Sequence, residues 1–259
     1  MTDFYQSNRS VTASYRKKLE DKIALTLRPE ELPETHEADL QKVYLEFKNR
    51  VVPIVHEETE KHQKELLETN NCHLILLKQT ALVDTLVRAA LKTAVAYYNH
   101  RHQARLNEPE VPVALVARGG YGREEMYFRS DVEIQVVHKP PADDAEAHLA
   151  EELIKHFEYL FVFQDIFSTA SRSSHSETTG QEQNLTPQNL NEFLSLLEHR
   201  FVAGNPVVYT EFKSSIRTAL LLHKEDLVKH CHKYESHYQV QNTVFRQEPN
   251  VKEDLARLY

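Results

Sequence analysis

The run VALVARGGYGREEMYFRSDVEIQVV, residues 113–137, decides the fold of this chain. It holds three of the chain's five glycines: Gly119, Gly120 and Gly122. Glycine lets the backbone turn where side chains do not fit, or lets a ligand approach the backbone closely. Because glycine is scarce elsewhere in the chain, this cluster indicates a specific structural or binding role.

The glycines lie between two patterns that are typical of β-strands. The apolar run 113–117 predicts a buried strand. After the glycines, acidic and apolar residues alternate with a period of two. On a strand, this alternation places Asp131 and Glu133 on one face and Val132 and Ile134 on the other. A strand, a glycine turn, a short helix and a strand with two carboxylates predict a phosphate cradle that faces a divalent-metal site.

Composition narrows the classes of function. The 259 residues are 41% hydrophobic, enough to bury a core in one large domain or two modest ones. A net charge of −8 repels polyanions, which argues against a broad nucleic-acid or anionic-membrane surface but allows a small anion held through a metal ion. Two cysteines, Cys72 and Cys231, predict reduced thiols in a cytoplasmic protein. The polar N-terminus lacks a signal-peptide pattern, and no stretch approaches the ~20 apolar residues of a membrane span.

The chain before the first strand divides into two parts. Residues 1–37 are polar, and Pro29 and Pro33 interrupt any long helix, so we expect a loosely attached segment with no more than one short helix. From residue 38 to residue 106, apolar residues recur at helical spacing and predict a helical layer. We group this layer with the strands as one domain over residues 38–178.

The chain after the second strand is expected to return to helices. Residues 145–161 carry a helical pattern, and a third strand is expected before residue 171. The polar run 171–176 is interpreted as a loop. We predict a helical domain over residues 185–259, in which Gly204-Asn205-Pro206 separates two helices.

These patterns supply what nucleotidyl transfer requires. The triphosphate must be gripped by backbone N–H groups, which the turn at Gly119 and Gly120 provides. A divalent ion must bridge the phosphates and the attacking oxygen, and Asp131 and Glu133 are its candidate ligands. Arg123 is a candidate for neutralising phosphate charge. Each pattern alone is also typical of a tight turn or a solvated edge strand, and only their joint spacing favours the site.

Three ordered segments resemble one family. Residues 119–125 followed by 130–133 resemble the signature of the N-terminal nucleotidyltransferase domain of the bacterial PII uridylyltransferases, within the DNA polymerase beta-like nucleotidyltransferase superfamily. Residues 200–206 resemble a helix break of that family, and residues 248–253 resemble its segment after the helical region. The resemblance implies an α+β fold, with a mixed sheet flanked by helices, an N-terminal helical region and a C-terminal helical domain.

The resemblance also implies an activity and a site. The activity is metal-dependent transfer of a nucleotide from a nucleoside triphosphate, classically UTP, to a tyrosine hydroxyl of a PII signal protein. The residues expected to bind the nucleotide are Gly119, Gly120, Gly122, Arg123 and Ser130. The expected ligands of Mg²⁺ or Mn²⁺ are Asp131 and Glu133. Asp165 is the nearest candidate for the third catalytic carboxylate, and Arg172 is a candidate for facing the phosphates.

Two departures from the family pattern keep other functions open. Glu133 stands where the family usually has aspartate, and the extra methylene shifts a ligand of an ion with strict geometry. Glu124 stands where the family usually has glycine and adds an acid beside the phosphate cradle. The alternatives are a degenerate module that binds nucleotide or a protein partner without turnover, and a helical interaction protein with a vestigial sheet.

Histidines elsewhere are weaker candidates. His230, Cys231, His232 and His237 are close in sequence, but their spacing does not align them on one helical face, so solvated side chains are expected rather than a zinc site. His156 lies among apolar positions and is interpreted as a core histidine rather than a catalytic base.

Overall fold

The computed structural model describes residues 2–27, 40–161, 171–177, 196–229 and 232. The helices are α1 (Thr2–Leu27), α2 (Leu40–Thr69), α3 (Cys72–His102), α4 (Gly119–Gly122), α5 (Asp144–Leu160) and α6 (Pro206–Leu222). The strands are β1 (Val113–Ala117), β2 (Val132–His138), β3 (Ser171–Glu177) and β4 (Arg200–Gly204). The helical layer before the glycine cluster and the two strands that bracket it are therefore confirmed.

The four described strands form one mixed sheet in the order β3-β2-β1-β4. β1 is antiparallel to both of its neighbours, whereas β2 and β3 run parallel. A parallel pair needs a crossover connection, and α5 lies in the segment between β2 and β3. The central position of β1 explains why all five of its residues are buried. The predicted α+β class, with a mixed sheet flanked by helices, is confirmed.

The two faces of the sheet pack against different layers. On one face, Leu115, Val132 and Ile134 join an apolar cluster with residues of α2, α3 and α5. On the other face, Val116 and Val137 pack with residues of α6. Glu133 shares the face of Val137, because side chains alternate along a strand. The predicted separation of acidic from apolar residues on β2 is therefore present in the structure.

The N-terminal region differs from the expectation. Residues 2–27 form a 26-residue helix rather than a loosely attached segment. Leu19 and Ile23 are 2% and 3% exposed and belong to the main apolar cluster. Asn8 and Thr12 are also buried on this helix. The buried face is partly polar, so its helical period is weak in the sequence, and tertiary packing stabilises the helix.

The break at residues 204–206 is present, but a strand precedes it where a helix was expected. β4 pairs with β1, with Ala114 opposite Gly204. Gly204 has a φ of +89°, and a Cβ there would lie 2.4 Å from the carbonyl oxygen of Val113. Asn205 then caps α6, because its side chain accepts a hydrogen bond from the N–H of Val207 at 2.9 Å. The close approach of β4 to β1 therefore requires glycine at this position.

The polar run 171–176 was also interpreted wrongly, since it lies in β3. β3 pairs in parallel register with β2, from Val132 opposite Ser171 to His138 opposite Glu177. It lies at the edge of the described sheet, where pairing needs backbone groups and a polar sequence is common. The segment at 248–253 and the strand expected just before residue 171 lie outside the described residues. The division of the chain into domains stays a prediction.

Of the helices in the described part of the chain, none combines the length and the apolar character that a membrane crossing needs.

Candidate functional site

The glycine turn, residues 118–122, follows β1, includes the short helix α4 and lies directly beside β2. Arg118, the residue after β1, is still extended, and its N–H donates to the carbonyl oxygen of Glu133 at 3.1 Å. Gly119 then adopts a φ of +51°, a left-handed conformation that favours glycine. The chain turns at this point and enters α4, which ends at Gly122. The turn is thus attached to the strand that carries the two acidic residues.

The three glycines of the turn have different surroundings. A Cβ at Gly122 would lie 1.7 Å from the carbonyl oxygen of Glu198, so the protein itself fills that space. A Cβ at Gly119 would lie 3.4 Å from Oε2 of Glu133, and the positive φ adds a second constraint. A Cβ at Gly120 would meet only Nη2 of Arg123, at an ordinary 3.8 Å. Gly122 is therefore required by packing, whereas Gly120 has room for a methyl group.

The two acidic residues lie partly exposed on one face of β2. Asp131 immediately precedes the strand and Glu133 is its second residue. The preceding residue, Ser130, closes a turn: its N–H donates to the carbonyl oxygen of Tyr127 at 3.1 Å, and its Oγ accepts from the N–H of Tyr127 at 2.9 Å. Ser130 thereby directs the chain into β2. Its role as a nucleotide ligand stays a prediction.

The donor set fits a metal ion that shares its ligands with phosphate. Among the described residues, no group of three His, Cys, Asp or Glu side chains is arranged to hold a metal. Mg²⁺ in nucleotide sites is usually held by one or two carboxylates together with substrate phosphates and water. Asp131 and Glu133 match that number, and the carboxylate of Glu133 lies against the turn that would approach the phosphates.

Arg123, predicted to neutralise phosphate, is held by acidic residues of the protein. Its Nε donates to Glu125 at 2.7 Å, and its Nη1 forms an ion pair with Glu198. These contacts join the end of the turn to the segment that leads into β4. Arg123 therefore has a structural role in this structure, and its contact with phosphate stays a prediction.

A buried aspartate of α3 is hydrogen-bonded to the glycine turn. Asp84 is 0% exposed and accepts four hydrogen bonds. Its Oδ1 accepts from the hydroxyl of Tyr121 at 2.8 Å and from Nη2 of Arg200 at 2.9 Å. Its Oδ2 accepts from Nη1 of Arg200 at 2.9 Å and from Nη2 of Arg16 at 3.0 Å. A buried carboxylate is stable when it is paired and fully hydrogen-bonded in this way.

Tyr121, the residue of α4 that is not glycine, is enclosed by this arrangement. Its ring lies under the guanidinium of Arg200, with 5.3 Å between Cζ and the ring centroid. Nη2 of Arg200 also donates to the carbonyl oxygen of Tyr121 at 3.2 Å. Burial, together with the charge of Asp84, raises the pKa of Tyr121 well above its ordinary value, so the phenol remains a neutral hydrogen-bond donor.

No site role was predicted from the sequence for Asp84, Tyr121 or Arg200. One signal in the sequence points to the first of these. Asp84 lies inside the run Leu82-Val83-Asp84-Thr85-Leu86-Val87, where neighbouring positions on every side of the helix are buried. An acid at a fully buried helical position needs a cationic partner. The identity of that partner is not readable locally, because Arg200 lies 116 residues away.

Other predicted residues lie away from the turn or outside the described residues. Asp165 is outside them, as are most members of the histidine cluster around residue 231. Arg172 is opposite Glu133 in the register of β3 and β2. His156 is 3% exposed and packs edge-on against Tyr97, with ring centroids 4.8 Å apart. Burial lowers the pKa of His156 to about 4, which agrees with a neutral core histidine.

The chain is similar to known proteins over about half of its length. Residues 40–162 match the family model described as "Putative nucleotidyltransferase DUF294". Curated proteins named bifunctional uridylyltransferase/uridylyl-removing enzyme are also similar. The protein from Idiomarina loihiensis is 26% identical over 143 residues, which are 54% of this chain and 16% of that protein. The protein from Nitrosospira multiformis is 30% identical over 146 residues, 56% of this chain and 16% of its own length.

A third relative, from Streptomyces coelicolor, is 33% identical over 115 residues, 44% of this chain and 12% of its own length. The chain spans about one sixth of the length of the first two relatives. The family match includes α3, the glycine turn, Asp131 and Glu133. The resemblance seen in the sequence is thereby confirmed: residues 40–162 are similar to a nucleotidyltransferase domain family, and about half of the chain is similar to part of the bacterial uridylyltransferases.

Proposed function

We propose that this chain transfers a nucleotide from a nucleoside triphosphate, with UTP as the favoured donor, to a hydroxyl group of a protein. One observation carries the proposal: the backbone at Gly119, which has no side chain, lies beside the carboxylate of Glu133 on β2. The position of a Cβ on Gly119 lies 3.4 Å from Oε2 of Glu133. Phosphate oxygens at that place would contact backbone and a carboxylate-held cation together.

The acidic residues and the glycines of the site would bind different parts of the metal–nucleotide complex. Asp131 and Glu133 would hold Mg²⁺ or Mn²⁺, which supplies charge neutralisation and Lewis-acid polarisation when bound. The backbone at Gly119 and Gly120 would lie against the phosphates, since neither residue presents a side chain there. The hydrogen bonds that link Asp84, Tyr121 and Arg200 keep this backbone in place before the nucleotide arrives. Such preorganisation lowers the cost of ordering the site on binding.

The acceptor and the cellular location are proposed from the family resemblance and the composition of the chain. The family resemblance favours a tyrosine hydroxyl of a PII-type signal protein as the acceptor. The net charge of −8 disfavours a polyanionic acceptor. Two cysteines in the whole chain favour a cytoplasmic location.

Binding of four nucleotides tests the proposal. UTP, ATP, CTP and GTP are titrated calorimetrically into the protein, first with Mg²⁺ and then with EDTA. We expect metal-dependent binding with a preference for UTP, and loss of the metal dependence in Asp131→Asn. Asp144→Asn is the matched control, because Asp144 is an exposed acid in the first turn of α5. Absence of binding for every triphosphate would exclude the proposed transfer.

Nucleotide binding without turnover is the second candidate function, and one observation favours it. β3 places Arg172 opposite Glu133, so the neighbouring strand has no carboxylate at that register. Release of pyrophosphate from UTP in the presence of a tyrosine-containing acceptor separates the two functions. Binding with release supports the transferase, and binding without release supports the degenerate module.

A further inference from the structure

We propose that α1 is a positioning element of the nucleotide site, in which Arg16 holds the glycine turn through Asp84 and Glu124. Nucleotide affinity then depends on the docking of α1. This inference rests on the proposed function for its ligand. Its structural part, that Arg16 holds the turn, can be tested without any nucleotide.

Glu124 has an uncommon backbone conformation. This residue lies two positions after α4 and has a φ of +63°. Residues with a Cβ rarely adopt this conformation without compensating interactions. Among the described residues, Glu124 forms two ion pairs, both with α1: with Nη2 of Arg9 at 3.6 Å and with Nη2 of Arg16 at 4.0 Å. The helix therefore stabilises an unfavourable backbone geometry at the exit of the turn.

Arg16 lies between two acids, Asp84 and Glu124. Its Nη2 donates to Oδ2 of Asp84 at 3.0 Å and also lies 4.0 Å from Glu124. Asp84 and Glu124 carry two negative charges, and Arg9, Arg16 and Arg200 carry three positive charges. Removal of Arg16 would take one positive charge away from under a turn that is proposed to bind triphosphate. The loss of that charge would weaken anion binding.

α1 also has contacts away from the glycine turn that keep it docked. Leu19 and Ile23 are buried in the main core. Lys22 pairs with Glu57 at 2.6 Å and with Glu58 at 3.2 Å, both on α2. A variant at Arg16 therefore removes the link from α1 to Asp84, while the remaining contacts hold the helix. Lys22 offers a matched control, because it is a cation of the same helix whose partners are not in the turn.

α1 lies outside the residues that match the family model. The family match begins at residue 40, after α1 has ended at Leu27. The helix thus lies outside the matched domain and still touches its glycine turn. Coupling between two sites is reciprocal, so nucleotide bound at the turn should also stabilise the docked state of α1.

The test compares Arg16→Met with Lys22→Met in the full chain. Both substitutions keep an apolar stem and remove one positive charge. Two quantities are measured: the affinity for Mg²⁺–UTP, and amide hydrogen exchange over residues 119–125. We expect Arg16→Met to weaken binding about tenfold, as for a typical coupling between sites, and to speed exchange over the turn. Lys22→Met should change neither quantity, and Arg16→Lys should restore part of the affinity.

The outcomes separate the two hypotheses. Unchanged affinity and unchanged exchange in Arg16→Met would overturn the role of α1. If the wild-type protein binds no triphosphate, the proposed function fails, and exchange over residues 119–125 alone decides whether Arg16 holds the turn. Glu124→Gln is the second variant if Arg16→Met does not fold, because it removes the charge that Arg16 faces while keeping the side-chain shape. Exchange at wild-type rates in Glu124→Gln would contradict the inference.

Discussion

The glycine turn has two sides with opposite properties. Its packed side comprises Asp84, Tyr121, Gly122 and Arg200, and its open side comprises Gly119, Gly120, Asp131 and Glu133. On the packed side, the protein supplies every partner: Asp84 is 0% exposed with four hydrogen bonds, and the carbonyl of Glu198 occupies the space beside Gly122. On the open side, both acidic residues are partly exposed, and a methyl group fits at Gly120.

The difference shows how similar residues serve different purposes within one turn. Gly122 is glycine because of packing, whereas a methyl group would fit at Gly120, where we propose that phosphate approaches the backbone. Two aspartates next to the turn also differ, since Asp84 is fully buried whereas Asp131 is partly exposed. Substitutions on the packed side should therefore change stability, and substitutions on the open side should change binding.

The largest effect is expected at Asp84. Asp84→Asn keeps the shape of the side chain but removes the charge that faces Arg16 and Arg200, which are then left partly buried without their main counter-ion. We expect the free energy of unfolding to fall by about 3–5 kcal/mol. Denaturant unfolding measures this change. Glu133→Gln, an acid-to-amide change on the open side, is the control, and an equal loss in both variants would contradict the comparison.

A smaller loss of stability is expected at Gly122. In Gly122→Ala, the new Cβ would lie 1.7 Å from a backbone oxygen, so the segment at Glu198 has to move. We expect a loss of about 1–3 kcal/mol, as for an overpacked core. Thermal unfolding gives the result. A midpoint equal to that of the wild-type protein would show that the packed side is not rigid.

The smallest change in stability is expected at Gly120. Gly120→Ala adds a methyl group where only Nη2 of Arg123 is near, at 3.8 Å, and the φ of Gly120 is not in the left-handed region. Stability should stay the same or rise by about 0.5 kcal/mol, because the unfolded chain loses freedom. Affinity for Mg²⁺–UTP should fall about tenfold, equivalent to ~1.4 kcal/mol. Unchanged affinity would mean that no ligand approaches the backbone there.

Local patterns predicted the elements that form the centre of the site. β1 was readable from a continuous apolar run, and β2 from alternation, because both lie in the middle of the sheet and bury side chains in a regular order. β3 was not readable, since a polar edge strand pairs through its backbone. α1 was missed because its buried face includes Asn8 and Thr12, and apolar periodicity underestimates such a face.

Strand periodicity and the conformational freedom of glycine are local properties, so the residue pattern alone indicates that a glycine turn joins two strands and that two acids share a face of the second strand. Which glycine is packed and which acid is buried depends on contacts between distant segments. Asp84 meets partners that are 37, 68 and 116 residues away in the chain: Tyr121, Arg16 and Arg200. Contacts over such separations depend on how helices and strands pack, and no pattern within a short window encodes them.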